Sequence, residues 1–84
     1  MNRLNRNELL QQADELHQHR KLTEVLDLLL AAEKDYSEDA QILWRLARAY
    51  LELAEDKPDD TNWRKKHCSH GLVHAEAALK IGSA

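Results

Sequence analysis

Eighty-four residues make one domain, and area scaling lets a chain of this length bury only about 60 to 65% of its unfolded surface, so a second core is excluded. Two glycines, one proline and a composition rich in Ala, Leu, Glu, Lys, Arg and Gln predict helix throughout, an all-α chain without sheet. A formal charge of −3 with both signs interspersed lacks the basic excess that gripping a phosphate backbone requires, so no nucleic-acid partner is expected.

The first helix is predicted over about residues 5 to 18. Asn5 and Glu8 have the spacing of a capping box, and Leu9, Leu10, Ala13 and Leu16 follow at three- and four-residue steps. A polar turn at His19 and Arg20 leads to a second apolar stripe, Leu22, Val25, Leu26, Leu29 and Ala32, in a helix ending near Lys34. Ser37 supplies a cap oxygen for a third helix, with Glu38 and Asp39 as first-turn negative charge against the helix dipole. Its buried stripe is Leu43, Leu46, Ala47, Tyr50 and Ala54, and Pro58 ends it. After a turn over Lys57 to Thr61, one of Asp59, Asp60 or Thr61 caps helix four, whose Cys68, Gly71, Leu72, Ala75, Ala78 and Leu79 form one narrow buried strip. Cys68 has no internal disulfide partner, and neither a signal peptide nor a long apolar run is present. An intracellular, cytoplasmic segment without a membrane span is therefore expected.

Sliding the chain on itself by 34 residues places Leu9 on Leu43, Ala13 on Ala47 and Leu16 on Tyr50, the tetratricopeptide period. Leu43-x2-Leu46-Ala47-x2-Tyr50 resembles the W-x2-L-G-x2-Y motif of such repeats, with alanine keeping the small side chain that a close helix crossing demands. Helix-turn-helix repeats are thus predicted within a single domain spanning 1–84, repeat one over about 5–36 and an irregular, lengthened repeat two over about 37–81.

Three strings carry a narrower resemblance. Leu9-Leu10 with Ala13, Asp14 and Leu16, the run Leu43-Trp44-Arg45-Leu46-Ala47-Arg48-Ala49-Tyr50, and Gly71 to Lys80 with its Ala77-Ala78-Leu79 ending together resemble the regulator of microtubule dynamics family over residues 8 to 81. The resemblance implies a tetratricopeptide-like domain in proteins that associate with microtubules and spindle structures, some of them anchored at mitochondria or membrane contacts. It also implies a cytoskeletal or spindle location, and further helices beyond a chain shorter than a complete domain of that family.

The residues carry no catalytic pattern: no Gly-rich phosphate loop, nucleophile elbow or Cys/His arrangement occurs, so no enzyme activity and no cofactor are expected. His67, His70 and His74 share a helix, but no carboxylate falls in register to complete a zinc set, so no metal is expected. Binding is expected instead. In tetratricopeptide modules the groove is lined by side chains flanking the packing stripe of each first helix, here Leu10, Gln11, Asp14 and His17, then Trp44, Arg45, Arg48, Leu51 and Glu52. Trp44 and Arg48 are the best anchors, with Arg45 beside them, because Trp and Arg carry interface energy most often. The cluster Arg64, Lys65 and Lys66 is the alternative contact for an acidic partner such as the tubulin surface and its Glu-rich tails. The partner expected is a microtubule or a microtubule-associated protein. Self-association into a homodimer is the structural alternative, because two repeats bury less than the three that usually stand alone.

Overall fold

Three of the four helices begin where a side-chain oxygen satisfies a backbone N–H left unpaired by the missing preceding turn. The computed structural model describes residues 5–36 and 38–82, which form α1 (Arg6–Gln18), α2 (Leu22–Glu33), α3 (Ala40–Asp56) and α4 (Thr61–Gly82). Asn5 Oδ1 accepts from the Glu8 N–H at 2.9 Å, and Asn5 Nδ2 donates back to Glu8 Oε1 at 2.5 Å. Asp39 Oδ1 accepts from Gln41 N–H and Asp60 Oδ1 from Trp63 N–H, both at 3.0 Å. The expected cap Ser37 lies outside the described residues; α3 starts at Ala40, and Asp39 is its cap rather than a first-turn residue.

The α1–α2 turn is closed differently. Arg20 takes φ 61°, its N–H bonds the His17 carbonyl and the Lys21 N–H bonds the Leu16 carbonyl, both at 2.9 Å. That is a Schellman ending, with arginine in the left-handed position usually filled by glycine.

Short connections make each helix antiparallel to the next. Leu9 and Ala13 of α1, Leu22, Val25, Leu26 and Leu29 of α2, and Ile42, Leu46, Ala49, Tyr50 and Leu53 of α3 form one buried cluster. Helix α3 is central because it is apolar on two adjoining faces. Leu43, Ala47, Tyr50 and Ala54, all buried, make the face that receives α4, and Ile42, Leu46, Ala49 and Leu53 the face toward α1 and α2. Burial also matches across the 34-residue offset: Leu9 and Leu43 are both buried, as are Ala13 and Ala47.

The strip expected on α4 divides. Gly71 and Ala78 are buried, but Cys68 and Ala75 are half-buried, and Leu72 and Leu79 face outward. Two seams one residue apart, 67/71/74/78 and 68/72/75/79, have the same helical spacing, and the first faces α3. Gly71 is the reason. A Cβ there would sit 2.9 Å from Leu51 Cγ and 3.2 Å from the Ala47 carbonyl oxygen, so the close approach needs a residue without one. No helix among the described residues is long and apolar enough to cross a membrane.

Candidate functional site

The residues that sequence places in a groove are largely engaged with one another. Asp14 on α1 takes Arg45 of α3 in a two-pronged pair, Nε to Oδ1 at 2.9 Å and Nη2 to Oδ2 at 3.0 Å. Arg45 Nη1 also donates to the carbonyl and the side-chain oxygen of Gln41, at 3.2 and 2.9 Å. Arg48 Nη2 stands 3.6 Å from the same Asp14 Oδ1. The hydrogen bonds from Arg45, reinforced by the charges of Arg45 and Arg48, hold the Asp14 carboxyl below the usual range against a smaller opposing effect of burial. One turn further, Glu52 of α3 meets Arg20 Nη1 at 3.0 Å and His17 Nε2 at 2.6 Å. Arg6 pairs with Asp39 in the same way and lowers its carboxyl below the ordinary value. Three acidic positions therefore bridge helices along the α1–α3 side.

This sorts the expected anchors. The Arg45 side chain is only 18% exposed and acts as a strut between α1 and α3. Arg48 keeps 42% of its side chain in solvent, and Trp44 is 53% exposed. Leu51 is half-buried against Gly71 at the α3–α4 crossing. On α4, Arg64, Lys65 and Lys66 are exposed. Arg64 Nη1 reaches the Pro58 carbonyl at 3.4 Å, while Lys65 and Lys66 have no ion-pair partner among the described residues. Helix α4 holds four cations, Arg64, Lys65, Lys66 and Lys80, and one carboxylate, Glu76, a formal +3; the rest of the chain then carries −6 of the total −3. The mixed charge read along the chain is segregated in space.

Sequence reasoning missed the inner seam of α4. The Trp63 indole N–H donates to the Leu53 carbonyl at 2.6 Å, Lys57 Nζ lies 4.2 Å from its ring centroid, and His67 packs against it at 4.1 Å. Tyr50 then meets His70 in a stacked contact at 5.2 Å and His74 at 5.4 Å. His67 Nδ1 and His74 Nδ1 donate to the carbonyls one turn back, Trp63 and His70, at 2.9 and 2.8 Å. His74 Nε2 also reaches Glu33 Oε2 of α2 at 2.9 Å, so the ring bridges α4 to α2. Burial first, and then the Glu33 charge, pushes the Tyr50 phenol up. The signal was present as the four-, three-, four-residue spacing of Trp63, His67, His70 and His74. Among the described residues, no three His, Cys, Asp or Glu side chains come together where a metal ion could sit.

The ionisable groups of α1 and α3 meet in pairs that fix helices, while Lys65, Lys66 and the Trp44 indole face solvent. A profile of the family described as "Regulator of microtubule dynamics protein 1-3" matches residues 9–84. The chain is similar to regulator of microtubule dynamics protein 3 of Rattus norvegicus, 43% identical over 76 residues covering 88% of this chain and 16% of that protein. It is also similar to the Xenopus laevis protein of the same name, 38% identical over 76 residues, with the same coverage of both chains. Regulator of microtubule dynamics protein 1 of Bos taurus is 40% identical over 73 residues, 87% of this chain and 22% of that protein. The chain thus spans about a sixth to a fifth of the length of these relatives. No solved structure matches it. The exposed cations of α4, the helix-bridging pairs and the Leu43–Tyr50 string therefore sit in a chain that belongs to the regulator of microtubule dynamics family.

Proposed function

We propose that this chain is a non-enzymatic, tetratricopeptide-like interaction module of two repeats that contacts microtubules, or a protein bound to them, through the basic start of α4. The observation that carries the reading is the charge segregation: α4 bears a formal +3 in a chain of −3, and Lys65 and Lys66 are exposed without partners among the described residues. Unpaired cations at a rim speed encounter with an acidic surface and make binding sensitive to salt. The names of the relatives, regulators of microtubule dynamics, support an acidic polymer surface such as tubulin with its Glu-rich tails. The reading extends to a cytoplasmic, cytoskeletal and spindle location and a contribution to chromosome segregation.

Of the two surfaces, α4 is favoured over the α1–α3 side because Asp14 already neutralises Arg45 and faces Arg48. Co-sedimentation with polymerised tubulin tests this directly. Reversing Arg64, Lys65 and Lys66 to glutamate is expected to weaken binding on the order of tenfold and to flatten its salt dependence. Trp44→Ala combined with Arg48→Glu is expected to leave it nearly unchanged. Arg45 is kept in that variant, since a carboxylate there would face Asp14. Loss in the Trp44/Arg48 variant with none in the triple reversal would move the site to α3, and no sedimentation at low salt would refute direct contact.

A further inference from the structure

Two of the three cations on which the proposed contact rests sit one turn before a hydroxyl. Ser69 is exposed in the middle of α4, and its Oγ has no hydrogen-bond partner among the described residues. A serine inside a helix either bonds back to a carbonyl one turn earlier or points to water, and this one points to water. Two residues from both His67 and Gly71, at about 100° per residue, it lies on the side of α4 opposite the seam that faces α3. Lys65 and Lys66 precede it by four and three residues, the two spacings that bring side chains together on a helix. Both are exposed, and neither has an ion-pair partner among the described residues. The nearest carboxylate along α4 is Glu76, two turns further on.

We infer that Ser69 is a phosphorylation site and that its phosphate silences the basic start of α4. The consequence rests on the microtubule reading above; the chemistry does not. A protein kinase selective for basic substrates supplies the reaction. Ser69 Oγ attacks the γ-phosphorus of magnesium-bound ATP, the bond to the β–γ bridging oxygen breaks, ADP leaves with that electron pair, and the hydroxyl proton passes to the catalytic base of the kinase. Such kinases select substrates by charge pattern, and Arg64, Lys65 and Lys66 stand at the fifth, fourth and third positions before Ser69. A kinase cleft takes its substrate extended, so transfer proceeds on molecules in which the middle of α4 has opened locally. Once the helix re-forms, the phosphate carries about −1.5 to −2 near neutral pH, one turn from both lysines. It pairs with them and takes the formal +3 of α4 down to between about +1 and +1.5. The residues that recruit the kinase are thus the residues its product neutralises.

The site is tested first, on the chain alone, with Mg-ATP and a purified serine/threonine kinase selective for arginine or lysine at the third and fifth upstream positions. Phosphate is expected at Ser69, located by fragmentation mass spectrometry because Thr23 also follows two cations, Arg20 and Lys21. Arg64→Ala combined with Lys66→Ala is expected to slow incorporation at Ser69 by about tenfold or more. A kinase selective for acidic substrates is expected to leave Ser69 unmodified. Co-sedimentation with polymerised tubulin is then run in a Thr23→Ala background. The modified chain is expected to bind roughly threefold more weakly at low salt, with the difference shrinking as salt rises. Ser69→Ala in the same background, treated with the kinase, is expected to bind like the untreated chain. No phosphate at Ser69, or incorporation indifferent to Arg64 and Lys66, would overturn the site, and equal sedimentation of the two forms would overturn the silencing. If neither form sediments at low salt, the microtubule reading falls and the silencing with it, while occupancy at Ser69, measured without tubulin, still decides the site.

Discussion

The two sides of α3 are packed by different means. Toward α1 and α2 the interface is aliphatic, with Leu29, Ile42 and Leu46 fully excluded from water, and it is framed by the ion pairs of Asp14, Asp39 and Glu52. Toward α4 it is made from small residues and rings. Gly71 and Ala47 bring the backbones together, His67, His70 and His74 close around Tyr50, and Trp63 packs on His67. An aliphatic seam draws its stability from area removed from water and forgives a change of shape if volume is kept. A close crossing depends on the absence of atoms at one point, and it fails when atoms are added. The lesson is that loss of side chain should damage the first side most, and gain of side chain the second.

Leu46→Ala should give the largest effect and is the sharpest test of the aliphatic side. Leu46 has no exposure, so truncation forfeits transfer energy and leaves a cavity, a cost of about 2 to 5 kcal/mol. In a chain this small, urea unfolding should show a large fall in midpoint, or no folded baseline at all.

Gly71→Val is next, and it probes the opposite sensitivity. The added carbons meet Leu51 Cγ and the Ala47 carbonyl, and overpacking of this kind costs about 1 to 3 kcal/mol. Ala47→Leu acts on the same crossing from the α3 side and should cost a similar amount. If thermal unfolding shows either variant as stable as the parent chain, the crossing is not as close as the structure has it, and the 34-residue alignment that pairs Ala13 with Ala47 weakens with it.

The smallest effect belongs to Asp14→Asn, which asks whether the ion pairs frame the aliphatic side or merely decorate it. The Asp14 side chain is 48% exposed, so solvent screening limits its contribution to at most about 1 kcal/mol near neutrality. Because its folded pKa is depressed, its contribution is full above about pH 4, the ordinary carboxylate range, and disappears as pH falls through the lowered folded value. The Asp39 carboxyl, lowered by Arg6, has the same sign. Stability of the parent chain should therefore decline below about pH 4, and Asp14→Asn should decline less. Parallel curves for the two proteins would remove Asp14 from the account.

The aliphatic side was legible in the sequence on α1 and α2, where Leu9, Leu22, Val25, Leu26 and Leu29 sit at unmistakable helical spacing, but on α3 only at Leu46, because the stripe read there was the adjoining face and left out the buried Ile42, Ala49 and Leu53. The Asn5–Glu8 pair was recognisable as a cap, and Asp60 was one of three candidates that spacing left open. The ring-lined side was not legible, for two physical reasons. Histidine is amphipathic, so His67 and His74 look like wet surface until a neighbour such as Tyr50 covers them, while His70 beside them stays exposed. In addition, the inner and outer seams of α4 differ by one residue and have equal periodicity, so spacing alone could not decide whether Leu72 or Gly71 faces α3. The candidate site was legible as a set of residues but not as a set of roles. Arg45 and Arg48 looked alike on the chain, and only the position of Asp14 on another helix separates a strut from an open cation.

The wrapping of Trp63 has an optical consequence. Its indole is held by the Leu53 carbonyl, the Lys57 ammonium and the His67 ring, whereas the other indole, on Trp44, faces water. The two fluorophores thus sit on the two opposite environments that α4 creates, one reporting that the helix is seated and the other reporting what approaches the edge beside it. Emission of the half-buried Trp63 ring should lie to shorter wavelength and be less open to external quenchers such as iodide, while that of Trp44 should be red and readily quenched. Undocking of α4 would merge the two signals without any change in the far-ultraviolet helix signature, so the chain carries its own spectroscopic distinction between a helix that has melted and one that has merely come away.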